Sequence, residues 1–409
     1  MLQVEPAARP RRSRHRLALA LAGGGPLGAF YQLGALHALS ECLDGLDLTQ
    51  LDAYVGVSSG SIIAAALANG ITTHDMVRLF FVEDAGERFP LTPGVLMRPA
   101  VEEYLDRILT VPSLVAESLS RWARDPLRQN WAEVFSPLLH AIPTGIFDNR
   151  PFEQYLRRLL SGDGRTNDFR KLPRMLRIVA TDLDSGTEVR FGEPGLDTVP
   201  ISEAIRASTA LPGLYTPVRM GGRTYVDGAL LRTAHASLVL DHGCDLVIAV
   251  NPLVTFDASK RRRASRHDLA RAGLAVVMQQ TFRALIQSRM QIGMASYAKR
   301  YPHSDRLLLQ PDRTDEAMFF VNVFRYKERC RLAEHAYQCT RRDLRMQSTK
   351  LQPLLKRHGI SLRQDRLHDP HRHFLSSIGA QLESHGVIGR LRHTLDRLSE
   401  WIDRQAASA

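Results

Sequence analysis

The sequence predicts an α/β fold of three layers, helices on both faces of a largely parallel sheet, followed by a largely helical C-terminal extension. Three observations predict it. A short apolar run, Leu17–Ala22, enters a cluster of glycines and emerges as a helical pattern over Ala29–Leu39. A second run, Leu51–Val55, does the same through Gly56–Gly60 into the small-residue segment Ser61–Ala68. Strand, glycine turn and helix, repeated, is the pattern of parallel βαβ units. Beyond Asp257 the apolar positions recur at helical spacing instead.

Taken in order, residues 1–16 read as a basic arm carrying Arg9, Arg11, Arg12, Arg14 and Arg16. These arginines imitate the start of a secretory leader. The apolar run behind them is shorter than the ~7–15 residues of a leader core and ends in glycines, so an arm and a first strand are expected. Residues 17–256 form the expected catalytic domain. Asn69-Gly70 is a glycine stop for the second helix. Residues 71–147 are helical, broken by prolines and furnished with Trp122 and Trp131, a candidate lid. Asn149-Arg150-Pro151 starts another helix. Leu176–Thr181 and Thr187–Phe191 flank a hairpin turn, in which Asp182 and Asp184 read as turn residues rather than ligands. Tyr225-Val226 and Leu246–Val250 are further strands.

Residues 257–409 form the expected extension. Leu274, Val277, Met278, Phe282, Leu285 and Ile292 share one helical face, and Pro302 ends that helix. A second helix carries Phe319, Phe320, Val323 and Phe324. A third, Val387–Ile402, interleaves Ile388, Leu391, Leu395 and Leu398 with Arg390, Arg392 and Arg397.

The composition, 44% hydrophobic and 24% charged, is that of a globular protein. The cysteines Cys42, Cys244, Cys330 and Cys339 are scattered without a C-x-x-C pair. They read as reduced thiols of a cytoplasmic protein, not as a disulfide framework or a zinc site. No cofactor or metal constellation is apparent. No apolar run reaches the ~18–20 residues of a membrane span. Charge is uneven: 29 Lys or Arg stand against 15 Asp or Glu from Asp257 onward, and 25 against 28 before it. Such an excess fits peripheral contact with an anionic membrane, and fits a solvated helical surface equally. Few aromatics interleave with Lys260–Arg263, so there is no specific nucleic-acid signal. Oligomeric state is not legible.

Two glycine turns carry the chemistry. Gly23, Gly25 and Gly28 satisfy G-x-G-x-x-G, which a dinucleotide's pyrophosphate could use, with Asp44 or Asp47 on the ribose. Gly56-Val57-Ser58-Ser59-Gly60 is G-x-S-x-G between a strand and a helix, a turn that lifts a serine above a sheet. Ser58 holds the nucleophile position; Ser59 reads as the helix cap. A plain βα turn with a capping serine remains the alternative. Attack on a carbonyl creates an oxyanion, for which the amides of Gly23, Gly24, Gly25 and Ser59 are candidate donors. Pro26 has none to give. A phosphate cradle accounts for the first turn alone, an acyl-transfer site for both. A serine needs a base. Asp227, before Gly228-Ala229 at the end of a strand, offers a carboxylate, although Asp before Gly is also a common turn residue. His37, His74, His140 and His235 are among the histidines that could serve instead.

The glycine loop Gly23–Gly28, the elbow Gly56–Gly60, the segment Ala207–Pro212 and the triplet Asp227-Gly228-Ala229 resemble, in order and spacing, the patatin-like phospholipases. The resemblance covers residues 17–252. It implies a patatin-like sheet and hydrolysis of lipid acyl esters by a Ser–Asp dyad without histidine. It assigns Ser58 as nucleophile, Asp227 as base, and Gly24, Gly25 and the Ser59 amide as the oxyanion hole, with Gly28, Gly56, Gly60, Gly228 and Ala229 supporting them. It also implies a lipid ester as the partner molecule. One position departs: Leu27 stands where the family usually has Arg or Lys. An acyltransferase or thioesterase with a histidine base, and a non-catalytic binding protein of this fold, are the alternatives.

Overall fold

The computed structural model describes residues 1–10, 15–81, 93–124, 136–230, 235–257, 273–315, 318–319 and 325–376. Five strands form the parallel heart of a mixed sheet, in the order Asp305–Leu309, Leu246–Val250, Leu17–Leu21, Ala53–Val57 and Met175–Asp182. Antiparallel strands complete it. Leu2–Glu5 pairs with Asp305–Leu309 at one edge, and Arg223–Asp227 and Glu188–Phe191 both pair with Met175–Asp182.

The strand sequences alternate in size, and the alternation builds the layers. Leu19, Leu21, Tyr54, Ile178, Ile248 and Leu309 face one core with the helices Gly25–Cys42, Ser59–Ala68 and Tyr326–Met346. Ala18, Ala20, Ala53, Val55, Ala249 and Leu308 face the other, under Ala236–Asp241 and Leu274–Arg300. Alanines on the second face let those helices approach closely. The three-layer architecture and the helical C-terminal region are as expected.

Four features differ from the sequence-based expectation. Leu2–Glu5, inside the expected arm, is an edge strand. Asp305–Leu309, inside the expected helical extension, is a fully buried strand of the central sheet, so 257–409 is woven into the domain rather than appended. Helix Leu274–Arg300 presents a different face to the core: Ile286, Met290 and Met294 are buried, while Met278, Phe282, Leu285 and Ile292 of the expected face are exposed. The helix is apolar on two sides, and periodicity alone does not choose between them. Phe319 lies in a short turn, not a helix. Lys260–Arg263, Phe320, Val323, Phe324 and Val387–Ile402 lie outside the described residues.

The segment 71–147 is largely helical where described, with Thr73–Phe81, Val101–Arg124 and a 3₁₀ turn at Ser136–Ala141, and it also holds two short strands. A small sheet fastens it to the main body: Arg98–Pro99 pairs with Gly145–Asp148, which pairs with Gly213–Tyr215.

Candidate active site

Neighbouring parallel strands emerge side by side at their carboxyl ends, which places their following loops in contact. Leu21 is in register with Gly56, so the glycine loop and the serine elbow leave the sheet together. Val57 is in register with Val179, and Ala180 with Asp227 on the far side of that strand. Asp227 therefore stands two strands from the elbow, roughly 10 Å of backbone separation at the usual strand spacing. Gly228 closes that gap. A β-carbon there would lie 2.2 Å from the Val179 carbonyl oxygen, so only glycine lets the chain cross the end of the intervening strand. The crossing delivers Ala229 to the glycine loop. A β-carbon on Gly23 would sit 2.9 Å from Ser58 Cβ and 3.1 Å from Ala229 Cβ. Gly23, Ser58 and Ala229 thus meet in one place.

Ser58 has φ 51° and ψ −128°, one of two non-glycine residues with positive φ among the described residues. Such a conformation costs on the order of 1–3 kcal/mol and persists only where neighbours enforce it. They do so here. The Ser58 N–H donates to Ser208 Oγ at 2.8 Å, and that hydroxyl donates to the Val179 carbonyl at 2.6 Å. The Ser58 carbonyl accepts from Ser61 N at 2.9 Å and from Ser61 Oγ at 2.5 Å. Gly56 backs onto Ser61, and Gly60 onto the Leu21 and Ala22 carbonyls. Neither Ser61 nor the role of Ser208 was readable from the motif. Ser208 belongs to the Ala207–Pro212 block, but that segment discloses its function only when folded beside the elbow. Ser208→Ala would leave a buried amide without its acceptor, a cost of about 1–3 kcal/mol. We expect a lower Tm and a fall in kcat larger than any change in KM; an unchanged kcat would show that the elbow holds itself.

Asp227 is 2% exposed and Ser58 5%. Asp227 Oδ1 accepts from the Ala229 N–H at 2.8 Å, and its own N–H donates to the Ala210 carbonyl at 3.0 Å. Burial pushes the Asp227 carboxyl up to about 6, against the downward pull of the Ser58 side chain and the Ala229 amide. A carboxylate so placed titrates nearer neutrality than a free one, the range in which a general base works.

Gly25 and Ser59 each open a helix, and the first amides of a helix have no acceptor within it. Gly24 is the residue before the first of these helices, and Gly24 and Gly28 both pack on Pro252. Ser58 itself, not Ser59, is the residue that precedes the second helix, and no side-chain cap bond forms. Ser59 Oγ is instead buried without a hydrogen-bond partner, 3.4 Å from where a Gly28 β-carbon would stand. Leu27 is partly buried against the apolar core.

The ribose contact required by a dinucleotide is out of reach. Asp44 pairs with Ser361 beyond the C-terminal end of the 18-residue helix Gly25–Cys42, roughly 27 Å from the glycine loop at 1.5 Å per residue. Asp47 is exposed and accepts from Thr49. Among the histidines, His37 is buried against Thr73 and Glu41, His235 lies beside Glu188, and His140 is exposed. Asp182 accepts from the Asp184 and Ser185 amides, as a turn residue does.

A family model described as Patatin-like phospholipase matches residues 19–239. Uncharacterized protein R571 of Acanthamoeba polyphaga mimivirus is 26% identical over 211 residues, 51% of this chain and 57% of that protein. The uncharacterized NTE family protein Rv2565 of Mycobacterium tuberculosis is 28% identical over 246 residues, 60% of this chain and 31% of that protein. The match thus spans little more than half of the one relative and under a third of the other. Among solved structures, VipD of Legionella pneumophila aligns with a TM-score of 0.37 at 16% identity, covering 83% of this chain and 69% of that one.

Proposed function

This chain belongs to the patatin-like phospholipase family, and we propose that it is a serine acyl hydrolase that cleaves lipid acyl esters through Ser58 and Asp227. The observation that carries the proposal is the convergence of a strained serine and a buried, raised-pKa carboxylate beside two helix N-termini. In the reaction, Asp227 takes the Ser58 proton as Oγ attacks the ester carbonyl. The negative oxygen that forms is met by amides of Gly24, Gly25 and Ser59, the helix dipoles adding to the attraction. The Ser58 amide is already bound to Ser208 and does not take part. Collapse expels the alcohol, protonated by Asp227, and leaves an acyl-serine. Asp227 then removes a proton from water, which releases the fatty acid and restores the serine.

The apolar face of Val101–Arg124 supports a lipid rather than a small polar ester. Leu105, Ile108, Leu109, Leu119 and Trp122 are exposed along it. The helix follows the small sheet that begins at Gly213–Tyr215, directly after the loop that holds Ala210 against Asp227. An acyl chain or a membrane surface would cover such a face. Among the described residues no helix is long and apolar enough to cross a membrane.

Incubation with a fluorophosphonate probe and with mixed phospholipid vesicles tests the proposal. A covalent adduct on Ser58 and release of fatty acid are expected, faster on anionic than neutral vesicles at low salt because of the basic C-terminal third. No adduct and no fatty acid would leave a non-catalytic binding protein. Equal rates on both vesicles would remove the charge-steering part alone.

A further inference from the structure

A second cluster of reactive side chains lies away from this site. Helix Tyr326–Met346 carries His335 and Cys339 four residues apart, on one side of an α-helix. A tight turn brings a carboxylate to them. Asp312 Oδ1 accepts from Thr314 N at 2.9 Å and Thr314 Oγ1 at 2.7 Å, and the Asp315 N–H donates to the Asp312 carbonyl at 3.2 Å. Asp315 Oδ2 is thereby held in hydrogen-bond contact with His335 Nε2. Cys339 Sγ lies 3.5 Å from the same nitrogen. The three donor atoms all fall within 4.8 Å of one another, and each residue is partly buried.

Both neighbours meet one nitrogen. That geometry is wrong for a nucleophilic relay, in which imidazole takes the thiol proton at one nitrogen and is oriented through the other. It is right for a shared centre. Zinc sits about 2.0–2.3 Å from nitrogen, oxygen and sulfur ligands, which puts tetrahedral ligands about 3.3–3.7 Å apart. The 3.5 Å sulfur–nitrogen separation is already in that range, and the Asp315–His335 pair, now in direct hydrogen-bond contact, would have to spread to admit the ion. A mixed nitrogen, sulfur and oxygen set suits a borderline-soft ion rather than calcium or magnesium. We propose that Asp315, His335 and Cys339 bind a divalent cation of zinc-like softness, with water as the fourth ligand.

Asp315 and Cys339 both approach His335 Nε2, the atom at which the ion would bind. Binding replaces any protons on the ligand nitrogen and sulfur with metal–nitrogen and metal–sulfur bonds and releases them to solvent, with no change of oxidation state. The site borders Tyr31 on the helix that begins at the glycine loop, a buried phenol that feels the charges of Cys339 and Asp315. A bound ion would tie the turn at Asp312–Asp315 to Tyr326–Met346, and so brace the layer on which that helix rests. Nothing in the sequence marks the trio: twenty positions separate Asp315 from His335, and only folding brings them together.

The test is titration of the reduced, chelator-treated full chain with Co²⁺ and Zn²⁺. Expected results are one ion per chain with a thiolate-to-Co²⁺ charge-transfer band, protection of Cys339 from a thiol reagent by Zn²⁺, proton release on binding, and affinity that falls as pH falls. Cys339→Ser should abolish the band and His335→Gln should weaken binding tenfold or more, while His368→Gln, at an exposed histidine elsewhere, leaves both unchanged. Binding that is insensitive to the first two variants would overturn the site. Should those variants not fold, the wild-type readings decide alone, because absence of the band or of thiol protection overturns it equally. None of these readings depends on ester hydrolysis.

Discussion

Ser58→Ala is expected to lower the rate of ester hydrolysis by on the order of 10⁵-fold or more, since removal of a nucleophile that acts as one unit with its base forfeits nearly all of the covalent route. No neighbour can replace it. Ser61 Oγ is committed to the Ser58 carbonyl, and Ser59 Oγ is buried on the Gly28 side of the turn. Folding should survive. Alanine keeps the β-carbon against which Gly23 packs, the Ser58 N–H bond to Ser208 is a backbone bond, and the backbone strain at φ 51° is the same for both residues. The measurement is kcat/KM on a phospholipid, with Tm as the control. Residual activity above about 1% with an unchanged Tm would place the nucleophile elsewhere.

Asp227→Asn is expected to act in opposite directions on activity and stability. Asparagine cannot accept the serine proton, so kcat should fall by roughly 10³-fold or more, at the upper end of what general bases contribute. In the wild type, kcat/KM should decline about tenfold per pH unit below about pH 6, where the carboxyl is protonated. For stability the sign is reversed from the usual carboxylate. The folded-state pKa is raised, so the protonated form favours folding, and that contribution is lost as pH rises through about 6. Above that pH the buried charge costs on the order of a few kcal/mol. Asparagine carries no such charge. The variant should melt a few degrees higher than wild type at pH 8, with the difference gone near pH 4. A variant less stable than wild type at pH 8 would mean that the Asp227 hydrogen bonds outweigh its desolvation. A histidine base would instead leave appreciable activity in Asp227→Asn.

Much of the fold is legible in the sequence because its central strands are short apolar runs that stop at glycines. Leu17–Leu21 and Ala53–Val57 announce themselves in this way, and so does the helix that follows each. Leu2–Glu5 does not, because a four-residue edge strand inside an arginine-rich segment has too few positions to show a period. Asp305–Leu309 carries Asp and Arg in a buried strand. Asp305 is held by Arg357 and His358, and Arg306 by Glu5, partners invisible to any local pattern. Helix Leu274–Arg300 offers two apolar faces, and the one that packs surrounds Arg283 and Gln287. Within the site, the motif positions of Ser58, Gly23 and Asp227 were readable. Ser208, which holds the elbow, was not, and Ser59 turned out to be the first residue of the helix rather than its cap.

The chain alone determined which residues could do the chemistry: a serine at the apex of a glycine turn, a glycine loop one strand away, and an aspartate before a glycine. Those are local facts of turn geometry and side-chain type. Tertiary structure alone decided that the aspartate meets the serine, because the link runs through sheet register, Val57 beside Val179 and Ala180 beside Asp227. It also decided how basic that carboxylate is, because desolvation is a property of the surrounding packing and not of the residue.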